Sequence, residues 1–238
     1  MPGSDAWFTD CLKLGLDQYV DGWDVHAYPQ RPPTLGGGLG NSPNEADYGV
    51  MTCYQRIGKT NTKPFWMGET GARASHGWDA RRWQANTVAK MIACILSRKD
   101  FQYIAFLVPW FASHTGTHAG SKARANDISV AHMPGEAAYY TASALIDGFD
   151  YTRLDFGKDI QAARFGETIM LWSTRDTARD VAVPLDGKGP WVVVDVVGRV
   201  RDLAVGEDGR ATVTVKADAW DETPRYVLSR AAYERLTK

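Results

Sequence analysis

The sequence predicts a chain in two parts, α/β followed by all-β: a parallel sheet with crossover helices and then an antiparallel sandwich or open barrel. Three observations predict it. Up to about residue 147, segments with helical periodicity alternate with strand-like ones, as a parallel sheet with crossover helices requires. From residue 148 the text becomes short β-type runs separated by turn residues. The composition, 44% apolar and 23% charged, supports a real core and excludes collagen, coiled coil and wholesale disorder. The domains are therefore expected at 1–147 and 148–238.

In order, Trp7 to Tyr19 reads as a helix, Gly22 to Tyr28 as a strand, Tyr48 to Ile57 as a helix, and Pro64 to Glu69 as a strand. A long helix follows from Asp79 to Arg98, then a strand from Tyr103 to Phe111 and a helix from Gly135 to Ile146. The long helix is carried by Val88, Met91, Ile92, Ile95 and Leu96, whose i, i+3, i+4, i+7, i+8 spacing gives one apolar stripe with Cys94 beside it. In the second part, β-runs are expected at Ile160 to Phe165, Thr168 to Ser173, Arg179 to Pro184, Trp191 to Val197, Arg201 to Val205, Arg210 to Val215 and Arg225 to Leu228. Gly166-Glu167, Asp186-Gly187 and Asp208-Gly209 supply hairpin corners.

Charge and cysteine usage narrow the function classes. The net charge is −1 and no basic run stands out, so neither nucleic acid nor a membrane surface is an expected partner. Cys11, Cys53 and Cys94 are odd in number and widely spaced, which argues for buried thiols and against a disulfide framework or a thiolate zinc site. The longest apolar stretches, such as Ile104 to Phe111, fall far short of a membrane span, and the first residues lack a basic start followed by an apolar core. No signal peptide is expected, and the chain as given reads as cytoplasmic.

Chemistry concentrates where three expected strands end. Asp24-Val-His26-Ala-Tyr28, Trp66-Met-Gly-Glu69-Thr-Gly71 and Val108-Pro-Trp110-Phe111 are polar and aromatic where a parallel strand is ordinarily a continuous apolar run. The period of two places Asp24, His26 and Tyr28 on one face and Trp23, Val25 and Ala27 on the other. Glu69 falls at the carboxyl end of its strand, between Gly68 and Gly71, which permit close approach of backbone or ligand. In α/β architectures, sites lie beyond that end of the strands.

The order His-x-Tyr at one strand end, Trp-x-Gly-Glu-x-Gly at the next and Trp at the third resembles strands six, seven and eight of the (β/α)8 barrel in clan-A retaining glycoside hydrolases. The tail, with Phe165, Leu171-Trp172-Ser173, Val192-Val-Val-Asp195-Val-Val-Gly198 and Pro224-Arg-Tyr226, is similar to the C-terminal β-sandwich of several such families, β-xylosidase-like ones included. The resemblance implies a partial (β/α)8-type barrel followed by a small antiparallel β-sandwich, and a hydrolase of β-linked glucosyl or xylosyl sugars. Glu69 then matches the nucleophile that forms a glycosyl-enzyme, and Tyr28 the phenol that steadies it. His26 matches a substrate or network contact, and Trp110 a platform beneath the sugar ring. Trp78 would extend the cleft.

Each residue also has a plainer reading. Glu69 could accept helix-capping or arginine bonds, His26 could be a core imidazole tied to Asp24, Trp110 could be core packing, and Trp78 could staple a helix start. His114 and His118 stand four apart in a Gly-containing loop with no third ligand nearby, so a solvated or substrate-facing loop outweighs a metal site. No metal or organic cofactor is implied.

The family pattern breaks at the second carboxyl group. A retaining enzyme needs a general acid/base about 5–5.5 Å from the nucleophile, and in the clan it follows an Asn at the end of strand four. Here the only Asn-Glu pair is Asn44-Glu45, so Glu45, 24 residues before Glu69 in Gly-rich loop text, is the fallback acid/base, with Asp24 behind it. Three barrel strands would leave backbone edges and an inner face open. A partner chain, a homo-oligomer, or a rearrangement in which the Leu35–Gly40 loop and the sandwich shield the gap would cover it, and of these a homo-oligomer covering the open barrel face is expected. A catalytically inactive carbohydrate-binding or interaction relic of such a hydrolase is the other functional reading.

Overall fold

The computed structural model describes residues 4–27, 35, 46–70, 78–98, 101–106, 134–175, 177–187, 189–216 and 223–238. By packing, the chain divides into two compact units, Met1–Gly71 with Cys94–Leu107, and Ala72–Ala93 with Val108–Lys238.

The first unit holds a parallel sheet of three strands in the order β1-β2-β3, with β1 at Trp23–Ala27, β2 at Phe65–Thr70 and β3 at Phe101–Phe106. Helices α1 (Ser4–Lys13) and α2 (Ala46–Arg56) pack on each other, and α2 packs on β1. Trp23 anchors this layer. Its ring meets Phe8 of α1 edge-on at 5.1 Å and Tyr54 of α2 at 6.2 Å. Its indole N–H donates to Asn61 Oδ1 at 3.1 Å, and Asn61 in turn holds the Lys63 backbone through bonds of 2.9 and 3.0 Å. Gly22 lets the chain come close: a Cβ there would meet the Pro64 carbonyl oxygen at 3.1 Å, next to the bond from Trp23 N–H to that oxygen at 2.9 Å. The first helix is shorter than the expected Trp7 to Tyr19. Gly15, at φ +89°, ends it in a left-handed cap, and Leu16–Gln18 form only a 3₁₀ turn.

The long helix α3 runs Trp78–Leu96. Val88, Met91, Ile92 and Ile95 are buried as the stripe requires, and Cys94 is buried beside them. Gln84, Asn86, Thr87 and Lys90 are buried as well, so this helix is covered on its polar side too. Cys53 and Cys94 are buried thiols, whereas Cys11 is half-exposed, because α1 turns it away from the Phe8 and Leu12 side. Among the described residues, no helix is long and apolar enough to cross a membrane.

In the second unit, α4 (Pro134–Ile146) leads into a six-stranded antiparallel sheet in the order β4-β5-β6-β11-β8-β9 and a two-stranded ribbon of β7 and β10. The strands are β4 Tyr151–Leu154, β5 Ile160–Phe165, β6 Thr168–Ser173, β7 Arg179–Pro184, β8 Trp191–Val194, β9 Val200–Leu203, β10 Arg210–Val215 and β11 Arg225–Ser229. The ribbon alternates strictly. Val181 and Val183 of β7 and Ala211, Val213 and Val215 of β10 turn inward to share one apolar cluster with Ile160, Ala162, Ile169, Leu171, Trp191 and Val227 of the sheet. On the sheet's other face, Ala163, Met170, Tyr226 and Val194 are register partners in one row, and all four are fully buried. Helix α5 (Arg230–Leu236), capped by Ser229 Oγ accepting from Ala232 N–H at 3.1 Å, packs on β8, β11 and α4.

Two elements fall outside the sequence expectation. Strand β4 is a short edge strand with an exposed middle, and α5 is a seven-residue helix; neither is long enough for its periodicity to show. Strand β8 stops at Val194 instead of Val197, because Asp195 gathers a tight turn. Its Oδ1 accepts from Val197 N–H at 3.0 Å and Arg199 N–H at 2.9 Å, and its Oδ2 from Arg199 Nε at 2.6 Å.

Candidate active site

The site is built on β1 and β2, and its geometry is set by backbone register. Trp23 pairs with Phe65, Asp24 with Trp66 and Val25 with Met67. The ladder then shifts: His26 pairs with Glu69 and Ala27 with Thr70, so β2 spends one residue more than β1 between Met67 and Glu69. Strand β3 records the same surplus, since Met67 pairs with Ile104 and Thr70 with Phe106. A bulge at Gly68-Glu69 is thus registered on both sides of the central strand. Bulges are rare between parallel strands and favour places where a residue must be re-aimed.

Trp23, Val25 and Phe65 are buried, while Asp24 and Trp66 are exposed, Trp66 at 44%. The bulge makes Glu69, in place of Gly68, the register partner of His26. Glu69 and His26 are therefore neighbours on adjacent parallel strands, one residue before the end of each.

Of the other expected site residues, Trp78 is the first residue of α3. Tyr28, Glu45 and Trp110 lie outside the described residues, as do His114 and His118. Asp24 is on the open row but two positions deeper than His26, about 6.6 Å along the strand. Trp66 escaped the sequence reading as a site residue. Its signal was available, because period two from the apolar Phe65 places an indole opposite Asp24. Below this row, the Tyr54 phenol is held above its ordinary pKa, mainly by burial and then by the charge of Asp17. Two shallow clefts on the second unit, one lined by Phe156 and Arg179 and the other by Arg153 and Lys158, contain none of the expected site residues.

A carboxylate-bearing position beside an imidazole-bearing one, near the carboxyl ends of parallel strands, is an arrangement suited to nucleophilic or acid/base chemistry. Comparison with solved structures places it in a fold. A family 39 glycoside hydrolase from the gut symbiont Bacteroides cellulosilyticus WH2 is similar over 93% of this chain and 46% of its own, at 15% identity and a TM-score of 0.61. At that identity the fold is what is shared. A family 5 glycoside hydrolase from Bacteroides vulgatus ATCC 8482 (13% identity, 96% of this chain and 54% of that one, TM-score 0.46) and a GH30 endoxylanase from Clostridium papyrosolvens C71 (13%, 89% and 50%, TM-score 0.45) superpose more loosely. The chain spans about half the length of the solved structures it matches. No protein-family model matches it, and no curated protein matches it in sequence. The parallel strands among the described residues form an open sheet and no closed barrel, as part of the (β/α)8 glycoside hydrolase fold would.

Proposed function

We propose that this chain is a glycoside hydrolase, in shortened form, that acts on β-linked sugars of glucosyl or xylosyl type by a retaining mechanism with Glu69 as nucleophile. The observation that carries the reading is the bulge at Gly68-Glu69, which makes residue 69 the register partner of His26 near the carboxyl ends of both strands. In this reading the Glu69 carboxylate attacks the anomeric carbon as the aglycone leaves, and water then releases the sugar. Tyr28 and His26 orient the carboxylate and the sugar hydroxyls, and Trp110, extended by Trp78, supports the ring. Glu45 is the proposed acid/base. The barrel part ends at residue 147, and a homo-oligomer covers the open barrel face.

The test uses leaving-group dependence, since dinitrophenolate departs without protonation whereas a sugar alcohol needs a general acid. A panel of dinitrophenyl β-glycosides is expected to release phenolate with the intact chain and not with Glu69→Gln, which keeps shape and removes the nucleophilic charge. Release unchanged in the mutant would overturn the assignment. Equal turnover of natural disaccharides would require a working acid, with Glu45→Gln as the next variant.

A specific observation favours a second reading, a carbohydrate-binding relic without turnover. Asp24, the remaining carboxylate on β1, pairs with Trp66 and stands two residues before the His26–Glu69 pair. Saturable binding of xylo- or cello-oligosaccharides with no release from any activated glycoside would favour it.

A further inference from the structure

Helix α1 carries two apolar rows. Phe8 and Leu12 face inward, Leu12 fully buried and Phe8 against Trp23. Trp7, Cys11 and Leu14 follow i, i+4, i+7, roughly a quarter-turn away around the helix. Helical bonding reaches Leu14, whose N–H donates to the Asp10 carbonyl at 3.1 Å. Yet Trp7 is 67% and Leu14 86% exposed, with Cys11 half-exposed between them. Exposed apolar side chains aligned along one helix face mark an interaction surface more often than scattered ones do.

We infer that this outer row is a self-docking surface on which α1 pairs antiparallel with α1 of a second copy, about a two-fold axis at Cys11. The inference rests on the homo-oligomer proposed above and names its contact. Two arguments select a second copy as the occupant.

The first is charge. Asp10 and Lys13 flank the row on one side and form an exposed ion pair at 2.9 Å within the chain. A two-fold through Cys11 keeps this flank on the same side in both copies and inverts the helix direction. Asp10 of one copy then lies within one residue's rise, about 1.5 Å, of Lys13 of the other along the axis, and Trp7 within the same rise of Leu14. Both pairs are satisfied by one axis, which is what an isologous contact demands. Antiparallel helix dipoles also oppose favourably.

The second is area. At these exposures Trp7 and Leu14 present roughly 300 Å² of side chain per copy, on the scale where one aromatic offers 150–250 Å². Doubled, this is about 600 Å² before the rim of Asp10 and Lys13 is added, the size of a weak, transient contact. A dimer that dissociates on dilution is the expected state. The small Cys11 at the axis allows close helix approach and brings the two sulfurs within reach of each other.

The experiment combines sedimentation velocity over a concentration series with mild copper–phenanthroline oxidation of the whole chain. The expected result is a concentration-dependent dimer, captured as a covalent dimer that disappears in Cys11→Ser, with buried Cys53 and Cys94 as internal controls. Trp7→Glu, at an exposed position that leaves circular dichroism unchanged, is expected to weaken the dimer by about tenfold or more. An oligomer that gives no Cys11 cross-link and ignores Trp7→Glu overturns this surface while leaving the homo-oligomer reading intact. A chain that stays monomeric at every concentration overturns both.

Discussion

The Asp195 turn offers the sharpest quantitative test of how the second unit is held. Asp195 is 2% exposed, and three donors converge on its carboxylate: the backbone N–H groups of Val197 and Arg199 and the Arg199 guanidinium. A hydrogen bond to a charged acceptor contributes about 1.5–3 kcal/mol. The Arg199 side chain is half-exposed, so its pairing is worth about 1 kcal/mol or less after solvent screening. Asp195→Ala removes all three bonds, but the freed N–H groups of a surface turn regain some water. A loss of about 3 kcal/mol is expected. Asp195→Asn keeps one side-chain oxygen to accept from both backbone N–H groups but puts an NH2 donor where Oδ2 accepted from Arg199 Nε, at about 1–2 kcal/mol. Urea denaturation with matched m-values measures the difference. If the two variants were equally stable, the turn would owe nothing to the acceptor geometry, and the account of why β8 stops at Val194 would fail.

Two further outcomes follow from buried or crowded positions. The Tyr226 hydroxyl is fully buried with no hydrogen-bond partner among the described residues, and burial, then the charge of Asp195, hold its pKa well above the ordinary value. The buried phenol therefore stays neutral above pH 10 while the unfolded chain ionises, so stability falls by about 1.4 kcal/mol per pH unit there. Tyr226→Phe is expected to remove that slope with little change at pH 7, as denaturation midpoints at pH 7, 10 and 11 would report. Gly166 has φ +54°, and a Cβ there would meet Phe149 Cδ1 at 2.8 Å, whereas Gly209, at φ +72°, has open space around it. Gly166→Ala should cost about 2–3 kcal/mol and Gly209→Ala about 1. Equal costs in thermal unfolding would remove the Phe149 contact from the explanation.

The parallel order of β1 to β3 was legible because each strand is flanked by a helix with its own periodicity, and the ribbon because Val181, Val183, Val213 and Val215 alternate without exception. The position of Glu69 near a strand end was legible for the same reason. Its partner was not. Period two is counted along one strand, and a bulge is a mismatch between strands, so no spacing within Phe65–Thr70 states that residue 69 will meet residue 26. The presence of Gly68 was the nearest hint. Likewise, the inward row of α1 could be read from periodicity, but whether Trp7 and Leu14 find cover depends on neighbours distant in sequence. Cys11 followed them to the surface.

The Gly68 surplus also bears on how this segment could change length. Were Gly68 deleted, Val25–Met67 would be followed directly by His26–Glu69, the same two partners without the extra residue. Were one more residue inserted after Glu69, the pairing of Ala27 with Thr70 would slip by one residue. The strand is thus tolerant of loss at one position and intolerant of gain at the next. Among natural relatives, a missing residue at Gly68 would be compatible with the same neighbour pair, whereas an added one would mark a site organised differently.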